Sequence, residues 1–586
     1  MKTVIFYYVN LLTIWINIVF GAGADSFNNV QIGKSLKDIK NHNPLVTHRY
    51  SADPGVMVYN DRVYVYSTND GDVDLNNKNV GENTYSHIKS LNVISSSDLV
   101  NWQDHGSINV AGGAAKWAQY SWAPCATYKK INGKDKFFLY FANNANGIGV
   151  LTSDSPTGPF SDPIGKALIT RETQNCGDVT WLFDPAVFVD DDGTGYLYFG
   201  GGVPSGMDAN PKTIRVVKLG DDMTSLAGAP QLIDAPYVFE DSGINKIGNT
   251  YFYSYCTNWT GGSYGGANIA FMTSNSPMGP FKAEYSCFKN PGEFLGNYGN
   301  NHHTIIQFRD KWYIFYHTEW LNKVVFGDQK GYRTGHVDEF PVSNNSFPRT
   351  AEGSIEGVKQ VENVDGSALN YAASFAWQSG IKVDGQGAVL PVKYSRGGWT
   401  GISQVDLGNA NTITLKASSQ SGATIKVCTD NEKGTVLGYV EIPAGSSLQE
   451  VTGNLTGASG VKNLFLVASN DASIESWKLN GSGSGNTSGK TDGNLSSNCW
   501  SESLGYKCCA SCEPVIYVDE SGNWGVENDD WCGIPTTCKT NNATGACKGA
   551  QGYPCCSISC DVYFEDGDGQ WSVENGDWCL VNKSVC

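Results

Sequence analysis

The sequence predicts an all-β protein: a five-bladed β-propeller, then a β-sandwich, then two small disulfide-rich modules. Three observations predict it. A pattern of short apolar strand, turn and aromatic strand recurs five times between Ala52 and Thr318, residues 351–480 alternate polar and apolar in short runs, and a cysteine-dense unit is duplicated at the C-terminus. No long amphipathic helical pattern separates the five copies.

Taken in chain order, the first element is "MKTVIFYYVNLLTIWINIVFGAGADS", with one basic residue, Lys2, an apolar stretch to Phe20 and the small-residue pattern Ala22-Gly23-Ala24. This is the form of a secretory signal peptide, so residues 1–24 are expected to be removed and the protein to be extracellular. No comparable apolar run follows, and no membrane span is expected. Asn-x-Ser/Thr acceptors at Asn258, Asn454, Asn486, Asn494 and Asn542 agree with secretion. With 58 acidic against 41 basic residues the formal charge is -17, which repels polyanions, excludes nucleic acid as a partner and favours a neutral one.

Residues 25–350 carry the five copies: "ADPGVMVYNDRVYVYST", "WAPCATYKKINGKDKFFLYFA", "FDPAVFVDDDGTGYLYFGG", "FEDSGINKIGNTYFYSY" and "HHTIIQFRDKWYIFYHT". Each reads as a β-hairpin with Asn-Asp, Asn-Gly, Asp-Gly, Gly-Asn or Arg-Asp at its turn. Antiparallel units of this size close radially, with the first strand of each lining a central channel. The residues opening those first strands are Asp53, Trp122, Asp184, Glu240 and His302, so three carboxylates from three blades are expected at one channel mouth. Converging like charges raise at least one pKa, so that one carboxyl keeps a proton to donate while another stays ionised to accept one. Glycoside hydrolysis needs that equipment.

On these residues, and on the stretches "SADPGVMVYNDRVYVY", "WLFDPAVFVDDDGTGYLYFGGGVP" and "GNNHHTIIQFRDKWYIFYH", the chain resembles glycoside hydrolase family 43. Within that family it looks most like the enzymes that remove single arabinofuranose branches from arabinoxylan. The resemblance implies Asp53 as general base, Glu240 as general acid and Asp184 as the residue that orients the acid and tunes it. It implies inversion, with the two carboxyls about 6.5–9.5 Å apart to admit a water. It also implies a calcium ion near the propeller axis with His302 beside it, Asn301 and His302 near the sugar, Arg333 of "GYRTGHVDEF" as a hydroxyl contact and Trp122 as a stacking wall. A β-xylosidase, an arabinanase or a non-catalytic sugar-binding propeller would use the same scaffold.

The runs "TITLKASS", "ATIKVCTD" and "NLFLVAS" within 351–480 predict the sandwich. "FAWQSGIKV", "GGWTGISQVDLG" and "SIESWKLNG" resemble carbohydrate-binding module family 6, which makes Trp377 and Trp399 candidates for stacking on sugar. The chain has "YAASFAW" where that family commonly has a Glu-rich calcium-binding start. Residues 481–498, "GSGSGNTSGKTDGNLSSN", are too polar to bury surface and read as a tether.

Residues 499–538 and 547–586 hold six cysteines each, the even count of a disulfide framework in a unit too short for its own core. Zinc is the competing use, disfavoured by the absence of histidine from both copies. The five body cysteines, Cys125, Cys176, Cys256, Cys287 and Cys428, are odd in number, so at least one is expected to be unpaired. The repeats resemble fungal dockerins, which attach enzymes to the scaffold protein of a cellulosome. That implies Tyr506, Trp524, Trp531, Tyr553, Trp571 and Trp578 as docking aromatics; cellulose binding by the same face is the alternative.

Overall fold

The computed structural model describes residues 23–75 and 81–481 and, beyond these, short stretches of the cysteine-rich repeats between Ser501 and Val581. Residues 1–22 of the expected signal peptide, the linker from 482 and Tyr553 lie outside the described residues. The chain divides into two compact units at Ser484.

The larger unit contains the propeller. Blade 1 is β1 (Arg49–Tyr59), β2 (Arg62–Asp72), β3 (Ser90–Ser96) and β4 (Trp102–Asn109); blade 2 is β5 (Trp122–Ile131), β6 (Lys134–Ala142) and β7 (Ile148–Ser153). Blade 3 is β8 (Ala186–Val189), β9 (Gly195–Gly200), β10 (Ile214–Lys218) and β11 (Gln231–Ile233). Blade 4 is β12 (Val238–Ile247), β13 (Thr250–Thr257), β14 (Ile269–Ser274) and β15 (Lys282–Phe288), and blade 5 is β16 (His303–Phe308), β17 (Lys311–Thr318) and β18 (Thr334–Glu339). The innermost strands close a ring: β1 packs beside β5 and β16, β8 beside β5 and β12, and β12 beside β16. The chain leading into blade 1 runs along blade 5, with Leu45 N donating to Gly335 O and Ser51 N to Arg333 O at 2.9 and 2.8 Å.

The expected turns set the hairpins. Asn60-Asp61, Asn132-Gly133, Gly248-Asn249 and Arg309-Asp310 make two-residue connections, whereas "DDDG" makes a longer turn between Val189 and Gly195. Tyrosines on the second strands tie blade to blade: the buried hydroxyls of Tyr66, Tyr140 and Tyr198 donate to the carbonyls of Pro156, Met223 and Pro277 in the next blade. A buried phenol thus packs its ring and satisfies its hydroxyl together.

The first strands of blades 1, 2 and 4 open on a bulge, two residues opposing one on the second strand, and blade 3 makes the same turn just before β8, where Gly200 N donates to Phe183 O; the first residue of each turn is left-handed: Asp53 (φ 50), Ala123 (φ 41), Asp184 (φ 49) and Asp241 (φ 69). The register therefore corrects the alignment of the strand openings. Glu240 and Trp122 stand one residue before the position that Asp53 and Asp184 share, and Asp241 occupies that position in blade 4. Bulges re-aim side chains beside active sites, and blade 5 reaches the mouth with His302 and no such kink.

The sandwich comprises β19 (Val364–Asp365), β20 (Asn370–Tyr371), β21 (Ser374–Phe375), β22 (Trp377–Val383), β23 (Val392–Asp406), β24 (Ala410–Ser419), β25 (Ala423–Thr429), β26 (Val436–Ile442), β27 (Gly445–Asn454), β28 (Val461–Ala468) and β29 (Ala472–Gly481). It folds around a core that includes Leu415, Ile425, Leu464, Leu466, Ile474 and Trp477. It is joined to the propeller at both ends of the chain. β21 pairs with β4 as a fifth strand of blade 1, and residues 27–39, assigned by sequence to the propeller, lay Phe27, Ile32 and Ile39 on the sandwich.

That strap overturns the stacking role of two tryptophans. Trp377 and Trp399 are 1% and 0% exposed; Trp377 stacks on Phe465, Trp399 packs tilted against it, and their indole N–H groups donate to the carbonyls of Asn41, just past the strap, and Gly33 within it at 3.0 and 2.7 Å. No face of either is left for a sugar. Asn258 is likewise buried, its amide bonded to Asp208 O, so its acceptor motif is a loop brace. All five body cysteines are free.

In the smaller unit each repeat forms a three-stranded meander: β30 (Tyr517–Val518), β31 (Asn523–Glu527) and β32 (Asp530–Gly533), then β33 (Phe564–Glu565), β34 (Gln570–Glu574) and β35 (Asp577–Leu580). Trp524 and Trp571, expected on the docking face, are instead buried under their meanders, while Tyr506 and Trp531 are 47% and 41% exposed. The side chain of Trp578 lies outside the described residues.

Candidate active site

The three sequence-predicted carboxylates share one cavity of ≈ 100 Å³ at the channel mouth, lined by Asp53, Asp184 and Glu240 with Trp122, His302 and Arg333 and with Tyr85, Phe183 and Asn300. Drug-sized pockets run to roughly 300–1,000 Å³, so the space suits a single small ring. Asn301 is not part of it: fully buried, it donates to the carbonyls of Ala267 and Lys289 at 3.3 Å, and its neighbour Asn300 takes the place at the wall.

Asp53 is built to stay ionised. Burial opposes its charge, yet the Arg333 guanidinium at 2.9 Å holds it well below the usual carboxylate range. Thr68 Oγ1 donates to its second oxygen at 2.7 Å. The Asp53 amide donates to His317 Nδ1 at 3.0 Å, and His317 Nε2 donates to Asn300 O, which assigns the tautomer. Arg333 also grips Asp70 with Nε and Nη2 at 2.9 Å, one on each oxygen, and lies 4.9 Å from the centre of the Tyr85 ring. Three of its five N–H donors are thus bonded within the protein, and it charges Asp53 from the cavity wall.

Glu240 and Asp184 have the opposite setting. Burial, with repulsion from Asp53 and Asp241, pushes Glu240 up to about 8. Burial, with repulsion from Glu240, Asp53 and Asp241, raises Asp184 well above its ordinary value, against the pull of the Asp241 amide donating to it at 2.9 Å. One acid is thus ionised and the other protonated at neutral pH, the division of labour that acid-base catalysis requires.

His302 sits among them, Nδ1 at 3.6 Å from Asp53 and 3.8 Å from Asp184, Nε2 at 3.3 Å from Asp241. Burial keeps it below its ordinary pKa. Calcium takes roughly six to eight oxygen ligands. Among the described residues no group of three or more His, Cys, Asp and Glu side chains could hold a metal, and both His302 nitrogens face carboxylates, so these side chains by themselves supply no set of about six to eight oxygen ligands.

Sequence reasoning missed Asp70, Asp241, His303 and His317. A signal for Asp241 existed: matching Gly243 of "FEDSG" to Gly55 of "ADPG" sets Asp241, not Glu240, against Asp53. Nothing in "FYHT" or "STNDGD" marks His317 or Asp70.

Comparisons with known proteins agree with this geometry. The family described as Glycosyl hydrolases family 43 matches residues 41–336, Carbohydrate binding module (family 6) matches 371–481, and Cellulose or protein binding domain matches 498–534 and 546–581. An arabinoxylan arabinofuranohydrolase of Paenibacillus polymyxa is 42% identical, covering 77% of this chain and 76% of its own. The crystal structure of a family 43 arabinoxylan arabinofuranohydrolase from Bacillus subtilis in complex with cellotetraose superposes with a TM-score of 0.73 at 42% identity, over 76% of this chain and 99% of that one. Feruloyl esterase B of Piromyces equi is 57% identical over 49 residues, 8% of this chain and 9% of its own.

Proposed function

Because the chain belongs to glycosyl hydrolase family 43, we propose that it removes single α-L-arabinofuranosyl branches from arabinoxylan with inversion, using Asp53 as base and Glu240 as acid. The observation that carries the reading is the opposed setting of these two carboxyls in a cavity sized for one sugar. Glu240 protonates the leaving xylan oxygen while Asp53 draws a proton from the water that attacks the opposite face of the anomeric carbon. Asp184 carries no reacting proton; its bond to the Asp241 amide anchors it beside Glu240, which burial and the charges of Asp53 and Asp241 keep protonated. Trp122, against Tyr120 and Tyr85 at ring separations of 5.7 and 6.4 Å, walls the sugar.

Chromatography of the products from wheat arabinoxylan tests the reading. Free arabinose is the expected product; xylose or oligomers would assign a xylosidase or arabinanase, and no product a lectin-like propeller. The rate is expected to fall as pH rises through about 8, where Glu240 loses its proton.

Secretion through cleavage near Ala24 completes the proposal, read by N-terminal sequencing of the extracellular protein. The repeats serve as scaffold-docking modules. Support comes from exposed Tyr506 and Trp531 and from Cys532 and Cys579 being disulfide-bonded, which holds those aromatics on a small stapled module. Retention on purified scaffold but not on cellulose is the expected result; retention on cellulose alone would reverse it.

A further inference from the structure

We propose that Asp241 is a positioning residue for this reaction, fixing His302 and His303 beneath the triad and, through its own amide, Asp184. The inference rests on the hydrolase reading above and deepens it. Asp241 occupies the kink equivalent to Asp53 and Asp184 but is fully buried and does not line the sugar cavity. Its Oδ2 accepts from His303 N at 3.1 Å and from His303 Nδ1 at 2.5 Å, and its amide donates to Asp184. Its Oδ1 makes no hydrogen bond and lies 3.3 Å from His302 Nε2, a contact that a small ring rotation closes.

A second exception in the sequence belongs to the same device. Paired with the residue that follows each kink, Gly55, Cys125 and Ala186, blades 1, 2 and 3 place buried Tyr66, Tyr140 and Tyr198, whereas in blade 4 Gly243 faces Ser254. The small side chain makes room for His303, whose Nε2 meets Ser254 Oγ at 2.8 Å. Burying a carboxylate and two imidazoles is costly unless each is satisfied, so the cluster points to a role beyond packing.

The chemistry follows from the carboxylate being an acceptor only. Both ring nitrogens facing it must carry hydrogen, which leaves His302 Nδ1 as a lone pair toward Asp53 and Asp184. Asp53, whose oxygens already accept from Arg333 and Thr68, then receives no further hydrogen bond from His302 and keeps a lone pair for the attacking water. An amide at position 241 would set N–H against N–H and turn His302 to the other tautomer, which donates to the base and occupies it.

The test is Asp241→Asn, with thermal melting to show that the variant folds. Expected is a fall in kcat of at least about tenfold with KM within about threefold, on arabinoxylan and on a nitrophenyl arabinofuranoside alike. The basic limb of the pH profile should also move to lower pH. Glu240, which sets that limb, faces Asp53 from β1, Asp184 before β8, His302 before β16, Arg333 before β18 and Cys256 on β13, and loses the repulsion of Asp241. A folded variant with wild-type kcat and an unmoved limb overturns the proposal. Should Asp241→Asn not fold, His302→Asn is read instead: the same kcat loss at constant KM supports the proposal, and wild-type kcat overturns it. Wild-type protein that releases no arabinose would overturn the hydrolase reading itself, a separate outcome.

Discussion

Blades 2 and 3 open alike and end differently. Both carry an aromatic residue, a left-handed residue and a proline at the entry to the first strand: Trp122-Ala123-Pro124 opening β5 in one, Phe183-Asp184-Pro185 just before β8 in the other. Blade 2 puts a methyl where blade 3 puts an acid, and the kink is the same. The kink is therefore a property of the propeller, present with or without a charge, and the chemistry is written onto it by choice of side chain. Blade 4 goes further, using the kinked position for Asp241 and the residue before it for Glu240.

Four substitutions break or sharpen this comparison. The largest effect is expected from Glu240→Ala, which removes the acid that blade 2 replaces with Trp122: turnover of arabinoxylan should fall about 10²–10⁴-fold, while an arabinoside with a nitrophenyl leaving group retains much of its rate. Equal losses on both substrates would take proton donation away from Glu240. Asp184→Ala, which gives blade 3 the kink residue of blade 2, should leave the protein folded and lower kcat about 10²-fold through misplacement of the acid. Wild-type kcat would make blade 3 a spectator.

Arg333→Lys acts on blade 1. A lysine cannot hold Asp53 and Asp70 together as the guanidinium fork does. The pKa of Asp53 should rise, so the base takes up its proton at higher pH and the acid limb of kcat/KM moves upward into the measurable range. An unmoved limb would mean that the guanidinium is not what keeps Asp53 ionised. The smallest effect is expected from Ala123→Asp, the reverse exchange. A fourth acid in this buried ring should bind a proton instead of ionising, changing kcat by no more than about tenfold.

The hairpins were legible because turn chemistry is local: Asn-Gly or Asn-Asp between two apolar runs has few other uses. The bulges were not, since two-against-one register is decided by the partner strand. For that reason Asp53, Asp184 and Glu240 could be named from the sequence while Asp241 stayed hidden behind its neighbour, and Asn301 was chosen over Asn300 by one residue. The pairing of Arg333 with Asp53 and Asp70 was not legible, because only folding brings the three together. Trp377 and Trp399 failed for a different reason: a tryptophan that stacks on sugar and one that stacks on Phe465 have the same composition around them. What separates them is a strap more than 300 residues away in the chain, invisible to any local pattern.

That strap, together with the pairing of β21 with β4, makes the protein a graft and not a train of carriages. A gene fusion that exchanged the sandwich for a foreign module at residue 350 would strip blade 1 of its outer strand and leave Phe27, Ile32 and Ile39 with nothing beneath them. Bare strand margins invite misassociation. Recombination can therefore shuffle the cysteine-rich repeats freely, but sandwich and propeller must be inherited as one piece.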